Sequence, residues 1–188
     1  MRDFRNYDWE GLARPSQLLP ADDDWLVTAL VAGRGAGLTR SAAEWVRKEV
    51  QKEGGRKGLI LDNLLDGDIP GRNTIYNEDC GLDAVTPPSE GLDDLVPGMS
   101  LQWPTGSRVD YMSYNDPTDI LGLEADFIWA DDANDWSLAM LETALLCLRG
   151  RKYPKLVIAV YPGSAPIHYA LGQMVMGNPK STRIMNMI

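Results

Sequence analysis

The chain alternates between short apolar runs, each about as long as a strand, and longer segments whose apolar residues recur at helical spacing. The first run, 25–31, shows no clean alternation, which is typical of a central parallel strand buried on both faces. Similar runs that predict strands lie at 57–65, 126–130 and 155–161. Segments that predict helices lie at 38–47, 136–148 and 167–176. This order predicts an α/β protein with a mainly parallel central sheet.

Two weaker patterns add further strands. The runs 99–103 and 108–114 flank Pro104-Thr105-Gly106 and predict a hairpin, in which Gly106 supplies the turn. The tail from residue 181 predicts the start of another strand.

The predicted helices are amphipathic. The apolar side of the first helix consists of Ala42, Ala43, Trp45, Val46 and Val50. The side that we expect to face solvent consists of Arg47, Lys48, Glu49 and Lys52. In the second helix, leucines recur at helical spacing at Leu138, Leu141, Leu145 and Leu148.

Composition then narrows the classes of function. The 188 residues, 44% hydrophobic and 24% charged, suffice for one domain with a substantial core. The net charge of −9 argues against a self-sufficient nucleic-acid binder, because phosphate contacts need a basic face. Cys80 and Cys147 are far apart and His168 is the one histidine, which disfavours a zinc or Cys/His site. We expect a cytoplasmic protein, since neither a signal peptide nor a membrane-spanning run is present.

A glycine-rich turn at 32–37 joins the first strand to the first helix. Strand, glycine loop and helix in this order form a phosphate-binding element, because backbone N–H groups and the helix N-terminus face the anion. Compared with the pattern GxxxxGK[ST], Ala32 stands at the first glycine and Leu38 stands at the lysine. Thr39 keeps the hydroxyl position. The sequence therefore predicts a phosphate loop without its charge.

Two carboxylates, Asp131 and Asp132, follow the strand at 126–130. In phosphoryl-transfer sites the first such acid holds Mg²⁺ and the second polarises the attacking water. Glutamate is usual at the second position, and Asp132 is shorter by one methylene. A misplacement of ~1 Å can cost ~10²-fold in rate. The pair predicts a magnesium site with impaired hydrolysis.

The segment before the first strand allows two interpretations. Gln17 offers both a donor and an acceptor, which match the edge of adenine. Alternatively, residues 1–24 form an N-terminal arm across the edge of the sheet.

These motifs together resemble one known family, the large subunit of the phage terminase. ARPSQL resembles the adenine-binding Gln motif of the family's N-terminal ATPase domain. AGRGAGLTRSAAEWVR resembles its phosphate loop with the helix that follows. FIWADDANDW resembles the strand that ends in the metal-binding acid. The resemblance implies a P-loop NTPase-like three-layer αβα sandwich over residues 1–188, with no counterpart of the family's nuclease domain. It implies ATP and Mg²⁺ as cofactors in the host cytoplasm. It also implies double-stranded DNA, portal and small terminase subunit as partners, and a ring only when assembled.

The resemblance also implies roles for single residues. Gln17 would face adenine, Thr39 and Asp131 would hold Mg²⁺, and Asp132 would stand in for the catalytic glutamate. Arg34 occupies the position of a loop arginine that senses the γ-phosphate. The nucleotide contacts implied for the loop and the start of the helix are Gly33, Arg34, Gly35, Ala36, Gly37, Leu38, Thr39 and Arg40.

Three departures from the family pattern fall on chemistry or coupling. They are Leu38 for lysine, Asp132 for glutamate, and 159–161 for a threonine-rich coupling stretch. Two functions therefore remain open. One is a terminase-type ATPase with slow hydrolysis. The other is a catalytically inactive relative or prophage remnant that acts as an interaction or regulatory module.

Overall fold

The computed structural model describes residues 8–52, 54–62, 100–103, 105–114, 116–149, 153–163 and 165–187. Cys80 and the predicted strand residues 63–65 and 99 lie outside the described residues.

Within the described ranges, seven strands form one sheet. Their bounds are β1 Val27–Val31, β2 Lys57–Asp62, β3 Ser100–Gln102, β4 Arg108–Ser113, β5 Phe127–Asp131, β6 Lys155–Val160 and β7 Thr182–Asn186. Their order across the sheet is β3-β4-β2-β5-β6-β1-β7. Every pair is parallel except β3–β4, which is the antiparallel hairpin that the sequence predicted. The predicted strand in the tail is confirmed as β7, at the edge of the sheet beside β1.

Four helices surround the sheet in the described part of the chain. Their bounds are α1 Trp9–Leu12, α2 Leu38–Gln51, α3 Leu138–Cys147 and α4 Ala165–Gly177. Short 3-10 turns lie at Pro15–Gln17, Pro117–Asp119 and Ala133–Asp135. Among the described residues, none of these helices is long and apolar enough to cross a membrane.

The core consists of two apolar layers, one on each face of the sheet. On the first face, Trp45 and Val46 of α2 pack in one cluster with Trp129 of β5. On the second face, α3 and α4 contribute Leu141 and Leu171 to a cluster with strand residues of β1, β5 and β6. The chain is therefore a three-layer αβα sandwich with a mainly parallel sheet, as predicted.

The strand order places the site. Because β1, β6, β5 and β2 are parallel neighbours, their carboxyl ends meet at one edge of the sheet. Asp62 at the end of β2 lies opposite Asp131 at the end of β5. One strand, β6, separates the glycine loop after β1 from Asp131.

Two side chains lie elsewhere than predicted. Glu49 of α2 does not face solvent, because its side chain is buried and pairs with Arg56 and, at 2.8 Å, with Lys52. Leu138 is 52% exposed. Ser137 caps α3 by accepting a hydrogen bond from Met140 N, so Leu138 is the first helical residue. The buried face of α3 instead consists of Met140, Leu141, Ala144 and Cys147.

Candidate functional site

The glycine loop lies between β1 and α2, and two of its glycines have a backbone that favours glycine. Gly35 and Gly37 lie in the left-handed region, with φ of 78° and 86°. A Cβ built on Gly33 or Gly35 would meet nothing within 4 Å, so the loop is open there. A Cβ on Gly37 would lie 2.5 Å from the side-chain amide of Gln17.

Gly37→Ala will therefore lower the free energy of unfolding by about 1–2 kcal/mol, because alanine is strained at this φ. Urea unfolding of the two proteins measures the loss. Gly33→Ala is the matched control, since its Cβ meets no neighbour and its φ is outside the left-handed region. Equal losses in both variants would contradict this account of the loop.

The hydroxyl of Thr39 donates a hydrogen bond to Asp131 Oδ2 at 3.3 Å. Thr39 lies in the first turn of α2, directly after the loop, and Asp131 is the last residue of β5. The fold thus brings together two residues 92 positions apart, both predicted from sequence as the magnesium pair.

Asp131 lies in an unfavourable environment for a carboxylate. Burial raises its pKa to about 7, the charges of Asp62 and Asp132 add to this effect, and the hydrogen bond from Thr39 opposes it. Asp62 is itself buried and accepts a hydrogen bond from the Tyr111 hydroxyl at 3.1 Å. Sequence reasoning missed Asp62. The sequence signal for Asp62 is its position at the end of the run 57–61. Asp131 follows the run 126–130 in the same way.

Asp132 follows β5 directly and is held by a neighbouring amide. Its φ of 47° is left-handed, and its carboxylate accepts a hydrogen bond from the side-chain amide of Asn134. Asn134 in turn accepts a bond from the Tyr161 backbone N–H at 2.7 Å. Burial raises the pKa of Asp132, whereas Asn134 and the charge of Arg34 lower it. Asn134 therefore fixes the carboxylate that was expected to position water.

Arg34 is exposed in the loop, with its guanidinium carbon 6.0 Å from the centre of the Tyr161 ring. Its charge lowers the pKa of Asp132, which places the two predicted catalytic residues within electrostatic range of each other.

Two of the predicted nucleotide contacts have side chains directed elsewhere. Leu38 is 8% exposed and belongs to the apolar cluster of α2 and the sheet. Arg40 donates to Glu44 through Nε at 3.0 Å and Nη2 at 2.7 Å, and it lies over the ring of Trp9. The side chains of Leu38 and Arg40 stabilise α2. Because Leu38 is uncharged, the residue at the lysine position brings no charge to the loop.

The N-terminal segment lies beside both the glycine loop and the edge of the sheet. Gln17 Nε2 donates to the Ala36 carbonyl at 3.1 Å, and Gln17 Oε1 accepts from the Arg14 backbone N–H at 3.0 Å. The amide keeps one further N–H and one further lone pair, which suffice for an adenine edge. Further along, Asp22 pairs with Arg183 on the edge strand β7 at 2.8 Å.

The residues present fit a nucleotide-bound Mg²⁺ better than a free ion. Within the residues that the structure describes, no three His, Cys, Asp or Glu side chains converge to hold a metal. Mg²⁺ commonly takes only one or two protein ligands and completes its shell with phosphate oxygens and water. Thr39 and Asp131 supply such oxygen ligands. Burial and the charges of Asp62 and Asp132 raise the pKa of Asp131, and a bound cation would oppose this effect by stabilising the carboxylate. The glycines fit a phosphate chain sterically, but the usual charge is missing.

Fold and strand order define the chain as a three-layer αβα sandwich with a mainly parallel sheet. No protein-family model matches the sequence, and no curated protein matches it. The large terminase of a thermophilic bacteriophage is similar in structure, with a TM-score of 0.62 at 12% identity. That match covers 95% of this chain and 43% of the thermophilic phage protein. The HK97 bacteriophage large terminase has a TM-score of 0.59 at 14% identity, over 88% of this chain and 36% of that one.

The chain therefore has a fold like that of phage large terminases, and it spans less than half the length of these two proteins. Sequence identities of 12% and 14% show similarity of fold alone and do not show activity or partners.

Proposed function

We propose that this chain is a terminase-type nucleotide-binding domain that binds ATP with Mg²⁺ and hydrolyses it slowly or not at all. The observation that carries the proposal is the hydrogen bond between Thr39 and Asp131 at the mouth of the glycine loop. A hydroxyl and a carboxylate at these two places are the magnesium ligands of phosphate-loop proteins.

In this proposal each retained residue binds or orients. The backbone of Gly33, Gly35 and Gly37 surrounds the phosphates, and the free donor and acceptor of Gln17 contact adenine. Thr39 and Asp131 hold Mg²⁺, which, when bound, neutralises charge on the phosphate oxygens. These residues account for the binding of ATP but not for its hydrolysis.

Slow hydrolysis follows from the two residues that carry the chemistry in related sites. The buried Leu38 supplies no charge to the transition state, where one preorganised electrostatic contact is worth roughly 3 kcal/mol. Asp132 is short and is held by Asn134, so it is poorly placed to activate water. Arg34, near Asp132, is the side chain that remains available to sense the terminal phosphate.

A second candidate function is a catalytically inactive module that acts through interactions. The burial of Leu38 favours it, because an apolar residue packed in the core stabilises the loop whether or not a phosphate is bound. Double-stranded DNA, a portal and a small terminase subunit are the proposed partners under either function, by analogy with the two large terminases of similar fold.

Mg²⁺ dependence of ATP binding tests the first function. We expect the wild type to bind ATP at least ~10-fold more tightly with Mg²⁺ than with EDTA, because the ion joins Thr39 and Asp131 to the phosphates. Isothermal titration calorimetry measures both affinities. Thr39→Val should abolish the difference.

Thr143→Val is the matched control, since this hydroxyl lies on α3 and donates to the Ala139 carbonyl at 2.8 Å. If neither the wild type nor Leu38→Lys binds ATP, the first function is wrong and the inactive module stands.

A further inference from the structure

The glycine loop lacks the lysine that usually binds phosphate, so a different cation would have to supply that charge. Three arginines lie on or beside it. Arg40 is occupied by Glu44, and Arg34 lies on the side of Tyr161 and Asp132. Arg14 contacts the loop itself, because its Nη2 donates to the Ala36 carbonyl at 2.6 Å.

Arg14 differs from Arg40, which is paired with Glu44. Among the described residues, no carboxylate lies within salt-bridge distance of the Arg14 guanidinium. Its charge is exposed beside the loop rather than neutralised in the core. Ala36 is two residues before Leu38, so the Arg14 guanidinium contacts the loop close in sequence to the position of the lysine.

The position of Arg14 is fixed at both its backbone and its side chain. Its backbone N–H donates to Gln17 Oε1, and the 3-10 turn Pro15–Gln17 follows directly. Gln17 Nε2 and Arg14 Nη2 both donate to the same carbonyl, that of Ala36. The close fit of Gln17 against Gly37 adds a steric contact between segment and loop. The backbone and the side chain of Arg14 are thus both held by hydrogen bonds beside the loop.

We propose that Arg14 replaces the loop lysine as the cation that binds the phosphate chain of ATP. This inference rests on the proposed ATP binding. A guanidinium has five donors in a planar fork, and one of them already holds the loop. The remaining donors match phosphate oxygens, with which arginine forms charge-assisted and often bidentate bonds. Gln17 would then bind the base and Arg14 the phosphates from one short segment.

The test compares nucleotides that differ only in phosphate number. In the presence of Mg²⁺, Arg14→Gln should weaken ATP binding by roughly 10- to 100-fold, the range of a hydrogen bond to a charged group. AMP binding should change by less than about 3-fold, since a single α-phosphate does not need the extra charge. Arg14→Lys should retain part of the ATP affinity. Titration calorimetry or a fluorescent nucleotide reports each affinity.

Two further proteins separate the possible outcomes. Arg149→Gln removes an exposed arginine from the opposite end of the sheet and should leave ATP binding unchanged. In Leu38→Lys, adding Arg14→Gln should cost less than about 3-fold, because the lysine restores the charge.

An equal loss for ATP and AMP would show that Arg14 only holds the loop, and the inference would be overturned. Unchanged ATP binding in Arg14→Gln would also overturn it and leave ATP binding intact. Absence of ATP binding in the wild type and in Leu38→Lys would remove the proposed function and this inference together.

Discussion

Leu38→Lys will strengthen ATP–Mg²⁺ binding by roughly 10- to 100-fold, because a charged hydrogen bond to phosphate contributes about 1.5–3 kcal/mol. Leu38 starts α2 directly after Gly37, where the lysine of a phosphate loop stands. Turnover should also rise by at least ~10-fold, because the lysine stabilises the developing charge of the transition state. It should remain well below that of efficient ATPases, since Asp132 is unchanged and held by Asn134. Calorimetry measures the affinity, and a phosphate-release assay measures the rate.

The same substitution will cost stability. Leu38 is 8% exposed within an apolar cluster, so its removal loses about 2 kcal/mol of burial, part of which the aliphatic stem of lysine recovers. A lower free energy of unfolding together with tighter ATP binding distinguishes a functional lysine from a general change in the fold. ATP should then raise the melting temperature of Leu38→Lys more than that of the wild type.

Leu38→Met is the control for this prediction, because it keeps the volume and adds no charge. It should bind ATP as the wild type does, with a stability change under about 1.5 kcal/mol. If Leu38→Lys folds, loses stability as expected and binds ATP no more tightly, the loop has lost its phosphate site for reasons other than charge. That result would favour the inactive interaction module.

Much of the fold could be predicted because its central strands are apolar on both faces. The runs at 25–31 and 155–161 became the adjacent strands β1 and β6, since a buried parallel sheet is the structure that suits such sequences. The hairpin of β3 and β4 followed from a short turn with Gly106, which has a φ of 82°. Local patterns of this kind depend on neighbouring residues, which the sequence contains in full.

Side chains whose environment depends on distant segments could not be predicted. Helical spacing alone assigns Glu49 to a polar helix face, and only the placement of Arg56, seven residues later, explains its burial. Asp62 acquires its importance only once β2 and β5 are neighbours. Arg14 is 22 residues from Ala36, and no pattern in either segment indicates their contact. Thr39 and Asp131 were an exception, because a resemblance to whole motifs supplied the long-range pairing that periodicity lacks.

Three acids, Asp62, Asp131 and Asp132, lie at or directly after the ends of β2 and β5, at the carboxyl edge of the sheet. Asp62, Asp131 and Asp132 raise the negative potential at the ends of β2 and β5, and the loop opposite lacks its lysine. A nucleotide phosphate alone would be repelled by the three acids, so the proposed site needs Mg²⁺ between the two. The Mg²⁺ requirement should accordingly be stricter here than in a loop with lysine, and Leu38→Lys should relax it.

The acids also make stability depend on pH in the metal-free protein. The pKa of Asp131 is about 7 when folded, against 3.8 for an ordinary aspartate, so between these values the folded state holds a proton that the unfolded state releases. The free energy of unfolding therefore falls as pH rises from about 4 to about 7 and levels off above. Between pH 5 and pH 8 we expect a loss of roughly 3 kcal/mol from this group, at about 1.36 kcal/mol for each pKa unit.

Asp131→Asn should remove most of this dependence, because asparagine has no charge to bury and retains an oxygen that can accept the Thr39 hydroxyl. With EDTA, the stability advantage of the variant over the wild type should be larger at pH 8 than at pH 5 by about 2–3 kcal/mol. Urea unfolding at both values measures the difference, with the exposed Asp135→Asn as control. An unchanged pH slope in Asp131→Asn would mean that Asp131 is already ionised in the folded protein. A cation or a rearranged Arg34 would then have to balance the three acids without nucleotide.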